Sequence, residues 1–271
     1  MPSLVRQAAK AVFAAADLFA PRLHGPRILI YHQVGTDLGR EMEVTRDDFI
    51  SQLDWIRARG EVVSLDSALE SSHRPGADRL FVLTFDDGYR DLYEVAWPHL
   101  QERQLPFVLY LTTEHVESQQ PLSHELALPL AWGQIEEMLA SGLMTLASHT
   151  HTHPDLRLLD AGAIERELEA CDRLIEARTS IRPRHFAYPW GYWSATADAV
   201  TRQRYVTAAL GAPIGSRPFS DPHLVPRLPV QRSDGVTWFR ARMHNGFRLE
   251  EWARRRLRGY RNRPGVASGS G

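Results

Sequence analysis

The chain of 271 residues is long enough for one large domain with a substantial buried core, and its 43% apolar and 24% charged residues are typical of a globular protein. Its net charge of -1 gives no overall attraction to nucleic acid or to anionic membranes, so we expect no nucleic-acid partner. A single cysteine, Cys171, excludes an intramolecular disulfide.

The first 24 residues carry an apolar stripe at helical spacing, interrupted by Lys10 and Asp17. We predict an N-terminal helix over residues 1–24 that packs on the domain, with a helix lying in a membrane interface as the alternative. The segment lacks the uncharged apolar run of a secretory signal, and no stretch approaches the roughly 20 apolar residues of a membrane span. We therefore expect a cytoplasmic protein, with association with the cell envelope as the alternative.

Short β-rich apolar runs alternate with longer helical patterns in the middle of the chain. Strands are predicted over residues 28–31, 80–85, 107–111, 143–147, 185–188 and 205–209. Helices are predicted over residues 46–59, 89–103, 132–141, 161–178 and 194–203. This order predicts a parallel sheet or barrel, and no linker or internal repeat divides it. We predict one α/β domain over residues 25–235.

A basic segment follows this domain. Residues 236–263 are predicted as a basic C-terminal helical extension, and the small polar residues 264–271 as a disordered tail. Nine arginines, but only Glu250 and Glu251, lie between Arg240 and Arg263. Such a run is typical of a solvated helix face; the alternative is a contact surface for an anionic glycan, a membrane lipid headgroup or a partner protein.

Two adjacent carboxylates, Asp86 and Asp87, follow the second predicted strand and precede Gly88. Neighbouring acids repel each other, which is tolerable if a metal ion neutralises one and the other is hydrogen-bonded as a base. The sequence Asp-Asp-Gly is also common in solvated turns. This motif alone therefore leaves both interpretations open.

Three histidines, His149, His151 and His153, follow the fourth predicted strand. Clustered imidazoles favour metal binding, because three protonated rings so close together would repel one another. The pair His149 and His153 suits a helical turn of the backbone, whereas either pair that includes His151 suits an extended backbone. Spacing alone does not choose among these pairs.

The polar residues suited to chemistry all follow predicted strands, including His32 after the first strand and Trp190 after the fifth. Parallel α/β folds bring such positions together on one face. One carboxylate and two imidazoles leave positions on an ion open for water, while the second carboxylate can accept a proton. These features predict a hydrolytic metal centre.

At these residues the sequence resembles the polysaccharide deacetylases of carbohydrate esterase family 4, the NodB-like domain, over roughly residues 28–230. The resemblance rests on Thr-Phe-Asp-Asp-Gly at residues 84–88, where the family uses the first aspartate as base and the second as metal ligand. It rests equally on the family pattern H-[S/T]-x-x-H at residues 149–153. It implies Asp86 as the base, Asp87, His149 and His153 as metal ligands, and His151 as a bystander.

A third block, Phe-Ala-Tyr-Pro-Trp-Gly at residues 186–191, resembles the groove-wall motif of the family, whose backbone amide near the aromatic residue helps to hold the oxyanion. Ala187 takes the position of an arginine that commonly orients the base. This departure, together with Leu-Ile-Tyr-His at residues 29–32, resembles the branch that acts on poly-N-acetylglucosamine-type exopolysaccharides.

Two further catalytic residues are implied by resemblance. His32 is expected near the site and Arg227 is expected to approach the base aspartate, with a hydrogen-bonded buried histidine and a surface arginine as the alternatives. The late histidine with which many relatives protonate the leaving amine has no clear match, because His244 lies at about the right distance but in a different context. Without it, the amine must take its proton from water or another group.

The resemblance also implies a fold, a cofactor and a substrate. The fold is a distorted (β/α)7 barrel, and the cofactor is one divalent ion, with zinc as the first choice and other transition metals as alternatives. The activity is removal of N-acetyl groups from a polysaccharide or oligosaccharide. The alternatives are a catalytically weakened carbohydrate-binding or scaffolding protein and a metal hydrolase of other amides or esters. Four residues are predicted to contact the glycan, with core packing as the alternative for at least one aromatic ring: Tyr188, Pro189, Trp190 and Trp193.

Overall fold

Strands and helices alternate along the chain in a computed structural model that describes residues 11–12, 24–36, 38–122, 127–211 and 219–245. The strands are β1 (Arg27–Tyr31), β2 (Gln33–Val34), β3 (Glu43–Val44), β4 (Glu61–Val62), β5 (Leu80–Asp87), β6 (Phe107–Leu111), β7 (Met144–Ser148), β8 (His185–Ala187), β9 (Thr207–Ala209) and β10 (Leu228–Pro229). The α-helices are α1 (Arg46–Arg57), α2 (Leu65–Glu70), α3 (Trp97–Glu102), α4 (Thr113–Ser118), α5 (Trp132–Ala140), α6 (Ala161–Thr179), α7 (Ala195–Thr201) and α8 (Gly235–Asn245).

Seven parallel strands form the central sheet, in the order β10, β1, β5, β6, β7, β8, β9, and β4 pairs with the start of β5. An isolated parallel bridge joins Ala209 at the end of β9 to Val225, three residues before β10 begins. This bridge brings the two ends of the sheet together, so the strands surround a common interior. The predicted distorted (β/α)7 barrel is therefore confirmed.

Alternation of side chains along the strands separates two parts of the core. Ile28, Val82 and Val108 belong to one buried cluster, which fills the barrel together with small alanines from β7, β8 and β9. Leu29, Leu83 and the intervening residues of the other strands face outward and pack against the helices in a larger cluster. Because Thr84 and Asp86 follow Val82 at a period of two, we infer that they point into the barrel.

The strand and helix boundaries differ from the prediction in informative places. β5 extends to Asp87, because Asp86 and Asp87 still pair with Tyr110 and Leu111 of β6. The predicted helix over residues 89–103 is instead a π-helical turn at Leu92–Ala96 followed by α3. Pro98 accounts for this change, since it has no N–H for the helical ladder. The short elements β2, β3, β4, α2 and α4 carry too few residues to show a clear period and were not predicted.

The first part of the predicted C-terminal extension is helix α8, which packs on the barrel. Phe239 and Met243 join the outer core, and the buried Arg242 pairs with Asp234 at 2.9 Å. Most of the predicted N-terminal helix over residues 1–24, and the predicted basic and disordered segments from residue 246 onward, lie outside the described residues. Within the described ranges, none of the helices combines the length and the apolar character needed to cross a membrane.

Candidate active site

The carboxyl ends of β5 and β7 bring a carboxylate and two imidazoles together. Asp87 Oδ1 lies 3.5 Å from His149 Nε2 and 3.5 Å from His153 Nε2. All three ligand atoms lie within 4.8 Å of one another. Tetrahedral zinc with bond lengths of 2.0 to 2.2 Å separates its ligand atoms by about 3.3 to 3.6 Å. The donor set and its spacing therefore fit one zinc-sized divalent ion.

The orientation of His149 is fixed by the strand beside it. Its Nδ1 lies 2.8 Å from the backbone carbonyl of Ala187, and because a carbonyl can only accept, Nδ1 must carry the proton. Nε2 then presents its lone pair toward Asp87, as in many metal sites where an outer partner fixes the tautomer. Burial lowers the pKa of His149 to about 3, so the ring stays neutral at physiological pH.

The backbone of the histidine loop brings one of the three possible histidine pairs together. Thr150 and His153 have φ values of 71° and 59°, so the chain turns sharply after β7 and returns His153 toward His149. The two rings lie 5.0 Å apart. His151 faces away and shares a hydrogen bond with Thr113 of α4 through Nδ1, at 2.9 Å. The structure thus brings together the predicted pair and places the predicted bystander outside it.

Asp87 and Gly88 end β5 with two left-handed residues, at φ values of 74° and 94°. A Cβ atom on Gly88 would lie 2.5 Å from a methyl group of Leu111, so a side chain here would have to displace that methyl group, and the left-handed backbone itself favours glycine. The left-handed conformation of Asp87 breaks the strand alternation just after Asp86. The two neighbouring carboxylates can therefore contact different groups.

Asp86 forms a buried, two-pronged ion pair with Arg227. The guanidinium donates from its two terminal nitrogens to the two carboxylate oxygens, at 2.7 and 2.8 Å. It also donates to the Thr84 hydroxyl at 3.1 Å and the Leu210 carbonyl at 3.0 Å. The guanidinium lies 4.9 Å from the ring centre of Tyr110. Arg227, directly before β10, therefore contacts Asp86 from a different part of the chain than residue 187, where the family commonly has its arginine.

The charge of Asp86 is set by opposing effects. Burial alone would raise the pKa of this carboxyl, but the positive charge and hydrogen bonds of Arg227 lower it below the usual value. Asp86 is consequently ionised at neutral pH. Its Oδ2 lies 4.0 Å from His149 Nε2, so an ionised carboxylate stands beside the proposed metal position without being among the three clustered ligands.

His32, directly after β1, interacts electrostatically with Asp86, and its buried Nδ1 has no hydrogen-bond partner among the described residues. His244 is placed differently. It is exposed near the end of α8, and the carbonyl of its neighbour Met243 accepts a hydrogen bond from Arg27 at the start of β1. The amino end of β1 is opposite the site, so His244 cannot serve as the missing acid.

Two of the four predicted glycan contacts are exposed. Trp190 and Trp193 have exposed fractions of 53% and 39%, and the Trp190 ring lies 5.0 Å from that of His153. Tyr188 and Pro189 are buried, and the Tyr188 hydroxyl contacts Thr201 of α7. These two side chains are therefore not on the exposed surface, which argues against direct contact with a glycan. Tyr188 packs with Phe186 and Ala197 in a separate buried cluster, in agreement with the alternative of core packing.

The backbone around Trp190 requires a glycine at position 191, which was not among the predicted site residues. Trp190 itself has a left-handed φ of 61°. A Cβ atom on Gly191 would lie 2.4 Å from the Cα atom of Gly211, which follows β9, so the two loops touch through their backbones. Thr84 and Tyr110, which contact Arg227, were also missed. Thr84 lies two residues before Asp86, so strand alternation places both side chains on the same face of β5. The position of Tyr110 beside Asp86 can be recognised only once the register of β5 and β6 is known.

Comparisons with known proteins identify relatives of this chain. A sequence profile of the polysaccharide deacetylase family matches residues 73–209, just over half of the chain. The chain is 26% identical to a poly-beta-1,6-N-acetyl-D-glucosamine N-deacetylase of Staphylococcus epidermidis over 165 residues, covering 56% of this chain and 55% of that protein. It is 31% identical to a chitooligosaccharide deacetylase of Rhizobium leguminosarum over 134 residues, covering 46% and 52% respectively. It thus spans about half the length of these curated relatives.

Among solved structures, IcaB from Ammonifex degensii superposes with a TM-score of 0.70 at 26% identity, covering 80% of this chain and 98% of that one. The matched profile contains both aspartates, the two proposed histidine ligands and both exposed tryptophans, whereas His32 and Arg227 lie outside it. The family prediction made from the motifs is confirmed, and the chain belongs to the polysaccharide deacetylase family.

Proposed function

We propose that this protein is a metal-dependent hydrolase that removes N-acetyl groups from an N-acetylated glycan. The observation that carries the proposal is the arrangement of Asp87, His149 and His153 around one position, with the ionised Asp86 beside it. An ion-binding set next to a separate carboxylate is what metal-assisted hydrolysis of an amide requires. A zinc ion is the first choice, and other transition ions suit the same ligands.

Each side chain of the site has a distinct task in this proposal. Asp87, His149 and His153 would hold the ion, which when bound polarises a carbonyl group and lowers the pKa of water. Asp86 accepts the proton from the attacking water, and Arg227 fixes both oxygens of this carboxylate in one orientation. His32, beside Asp86, is the second group that we propose to handle a proton in the reaction.

The substrate proposal combines the exposed aromatic surface with the names of the relatives. Trp190 presents an exposed indole ring next to the proposed ligand His153, and Trp193, three residues later, is also exposed. Such rings stack on the apolar faces of sugars. One relative is named for deacetylation of poly-beta-1,6-N-acetyl-D-glucosamine and another for chitooligosaccharides. We therefore propose a glycan of N-acetylglucosamine units, with the exopolysaccharide of the first relative as the leading candidate.

Acetate release tests this function directly. The purified chain would be incubated with oligomers of β-1,6- and β-1,4-linked N-acetylglucosamine, before and after treatment with a chelator, and again after Zn²⁺ is restored. We expect acetate from at least one oligomer, loss of acetate with the chelator, and recovery with the ion. Glycan binding without acetate release would favour the weakened binding protein, and release that ignores the chelator would contradict the metal dependence.

Replacing Arg227 by methionine is expected to change the pH dependence of the reaction. Burial still acts on Asp86 while the compensating positive charge is gone, so the pKa of this carboxyl should rise. A base with a raised pKa is protonated over more of the acidic range. We therefore expect the acidic limb of kcat/KM to move to higher pH, with a loss of roughly 10- to 100-fold at neutral pH.

Arg227→Lys is the matched control for this variant, because lysine keeps a positive charge but loses the two-pronged geometry. Its acidic limb should stay closer to that of the wild type. Removing one partner of a buried pair costs about 3–5 kcal/mol, so thermal unfolding should confirm that each variant is folded at the assay temperature. Identical acidic limbs in the wild type and Arg227→Met would contradict the role assigned to Arg227.

A further inference from the structure

The loop that carries both histidine ligands contains two left-handed residues that are not glycine. Thr150 and His153 have φ values of 71° and 59°. Such residues persist only where surrounding contacts hold them, because this backbone conformation is strained for a residue with a Cβ atom. One contact lies within the loop, where the Thr150 hydroxyl accepts from the His153 N–H at 3.1 Å. The remaining contacts come from outside the loop.

Glu167, on helix α6, makes three hydrogen bonds to the middle of this loop. Its Oε2 accepts from the backbone N–H groups of His151 and Thr152, at 3.1 and 2.9 Å. Its Oε1 accepts from the Thr152 hydroxyl at 2.9 Å. One carboxylate thus takes up two consecutive backbone donors between the left-handed residues. Hydrogen bonds to a charged acceptor are stronger than those between neutral groups.

Helix α4 holds the opposite side of the same loop. The backbone N–H of Glu114 donates to the His151 carbonyl at 2.9 Å, and Thr113 contacts the His151 ring. Residue 151 is therefore fixed through its N–H, its carbonyl and its side chain. Glu114 contacts the backbone of this loop through its own backbone, whereas Glu167 does so through its side chain. A substitution of Glu167 therefore removes its contacts without changing the backbone of α4.

We propose that Glu167 is a positioning residue of the metal site, which holds the turn between His149 and His153 in the geometry that binds the ion. The inference rests on the proposed function, because it assigns Glu167 a task toward the proposed ligands. Without this carboxylate, two backbone N–H groups lose their acceptor, and the left-handed turn loses the contact that spans its centre. His153 then samples positions too far from His149 and Asp87 to share an ion with them.

Metal affinity of the folded protein tests this proposal. Zn²⁺ affinity would be measured by competition with a chelator of known strength, and ligand geometry by the visible absorption of the Co²⁺ form. We expect Glu167→Ala to lower the Zn²⁺ affinity by roughly 10- to 100-fold, the usual effect of losing an outer partner of a metal ligand. Glu167→Gln should lose less, because its amide oxygen can still accept from both backbone N–H groups.

Glu165→Ala is the matched control, because Glu165 is exposed on the same helix. Its affinity and Co²⁺ spectrum should equal those of the wild type. A purely structural role for Glu167 would lower the unfolding temperature of the metal-free protein without changing either readout, and that result would overturn the proposal. If Glu167→Ala does not fold, Thr152→Val is the substitute variant, because it removes only the contact with Oε1. It should cause a smaller loss of Zn²⁺ affinity. Unchanged affinity in both Thr152→Val and Glu167→Gln would overturn the proposal.

The outcomes also separate this inference from the proposed function. Failure of the wild type to bind Zn²⁺ or Co²⁺ would contradict the metal site itself. Binding by the wild type with equal affinity in Glu167→Ala would contradict only the task given to Glu167.

Discussion

Asp86→Asn is expected to bind metal as the wild type does and to lose most of its turnover. Asparagine is nearly the same size as aspartate but cannot accept a proton from water at neutral pH. General base catalysis by a positioned side chain contributes about 10²- to 10⁴-fold, so kcat should fall by a factor in that range. The three clustered ligand atoms belong to other residues, so the Zn²⁺ content should remain near one ion per chain.

The buried partner of Asp86 makes stability the necessary control. The variant leaves the Arg227 guanidinium, 1% exposed, beside a neutral amide, and removing one charge of a buried pair is destabilising by about 3–5 kcal/mol. Thermal unfolding and Zn²⁺ content should therefore be measured on the same sample as kcat. Normal turnover in a folded, metal-loaded Asp86→Asn protein would rule out Asp86 as the base, and loss of metal would indicate that Asp86 is itself a ligand.

The central part of the fold was accessible from sequence because its strands are long and apolar. The predicted strands over residues 80–85 and 107–111 correspond to β5 and β6, whose buried residues leave little ambiguity. The short strands β2, β3 and β4 contain two residues each, and no periodicity is measurable over two residues. Their positions depend on pairing with distant strands, which a local pattern does not encode.

The site was predictable only where the motif is local. His149 and His153 lie on one loop, yet the choice of this pair came from the family pattern. The left-handed turn that joins them is formed by Thr150 and His153, and without a glycine the sequence gives no local signal for such a turn. Arg227 pairs with Asp86 across 141 residues, so local spacing cannot reveal the contact. Tyr188 and Trp190 look alike in sequence. Tyr188 directly follows β8 and is buried, whereas Trp190 lies where the backbone turns left-handed and is exposed.

These observations place the two aspartates in different physical environments despite their adjacency. Asp86 points into the barrel, where Arg227 neutralises it and fixes both its oxygens. Asp87, turned by its left-handed backbone, faces the two imidazoles at the mouth of the barrel. Repulsion between neighbouring carboxylates is thereby offset twice, once by a guanidinium and once by the proposed ion. The proposed assignment of base and ligand rests on this separation, and it predicts that the two kinds of variant both lose turnover but differ in metal content.

His149→Ala is expected to lose both metal and turnover. The variant removes one of three clustered ligands, and the remaining carboxylate and imidazole hold a divalent ion much more weakly. The Zn²⁺ affinity should therefore fall by more than the roughly 10- to 100-fold that the loss of an outer partner costs. Acetate release should drop to the level of the chelator-treated wild type, measured at the same protein concentration.

His151→Ala is the matched control, because it removes an imidazole from the same loop that faces α4 and lies outside the ligand cluster. It loses one hydrogen bond with Thr113 and should keep its Zn²⁺ content, with at most a small loss of affinity. Equal loss of metal in His149→Ala and His151→Ala would show that the loop, and not the identity of its ligands, determines binding. Retention of a tightly bound ion by His149→Ala would show that His149 is not needed as a ligand, and it would contradict the coordination on which the proposed catalytic assignment depends.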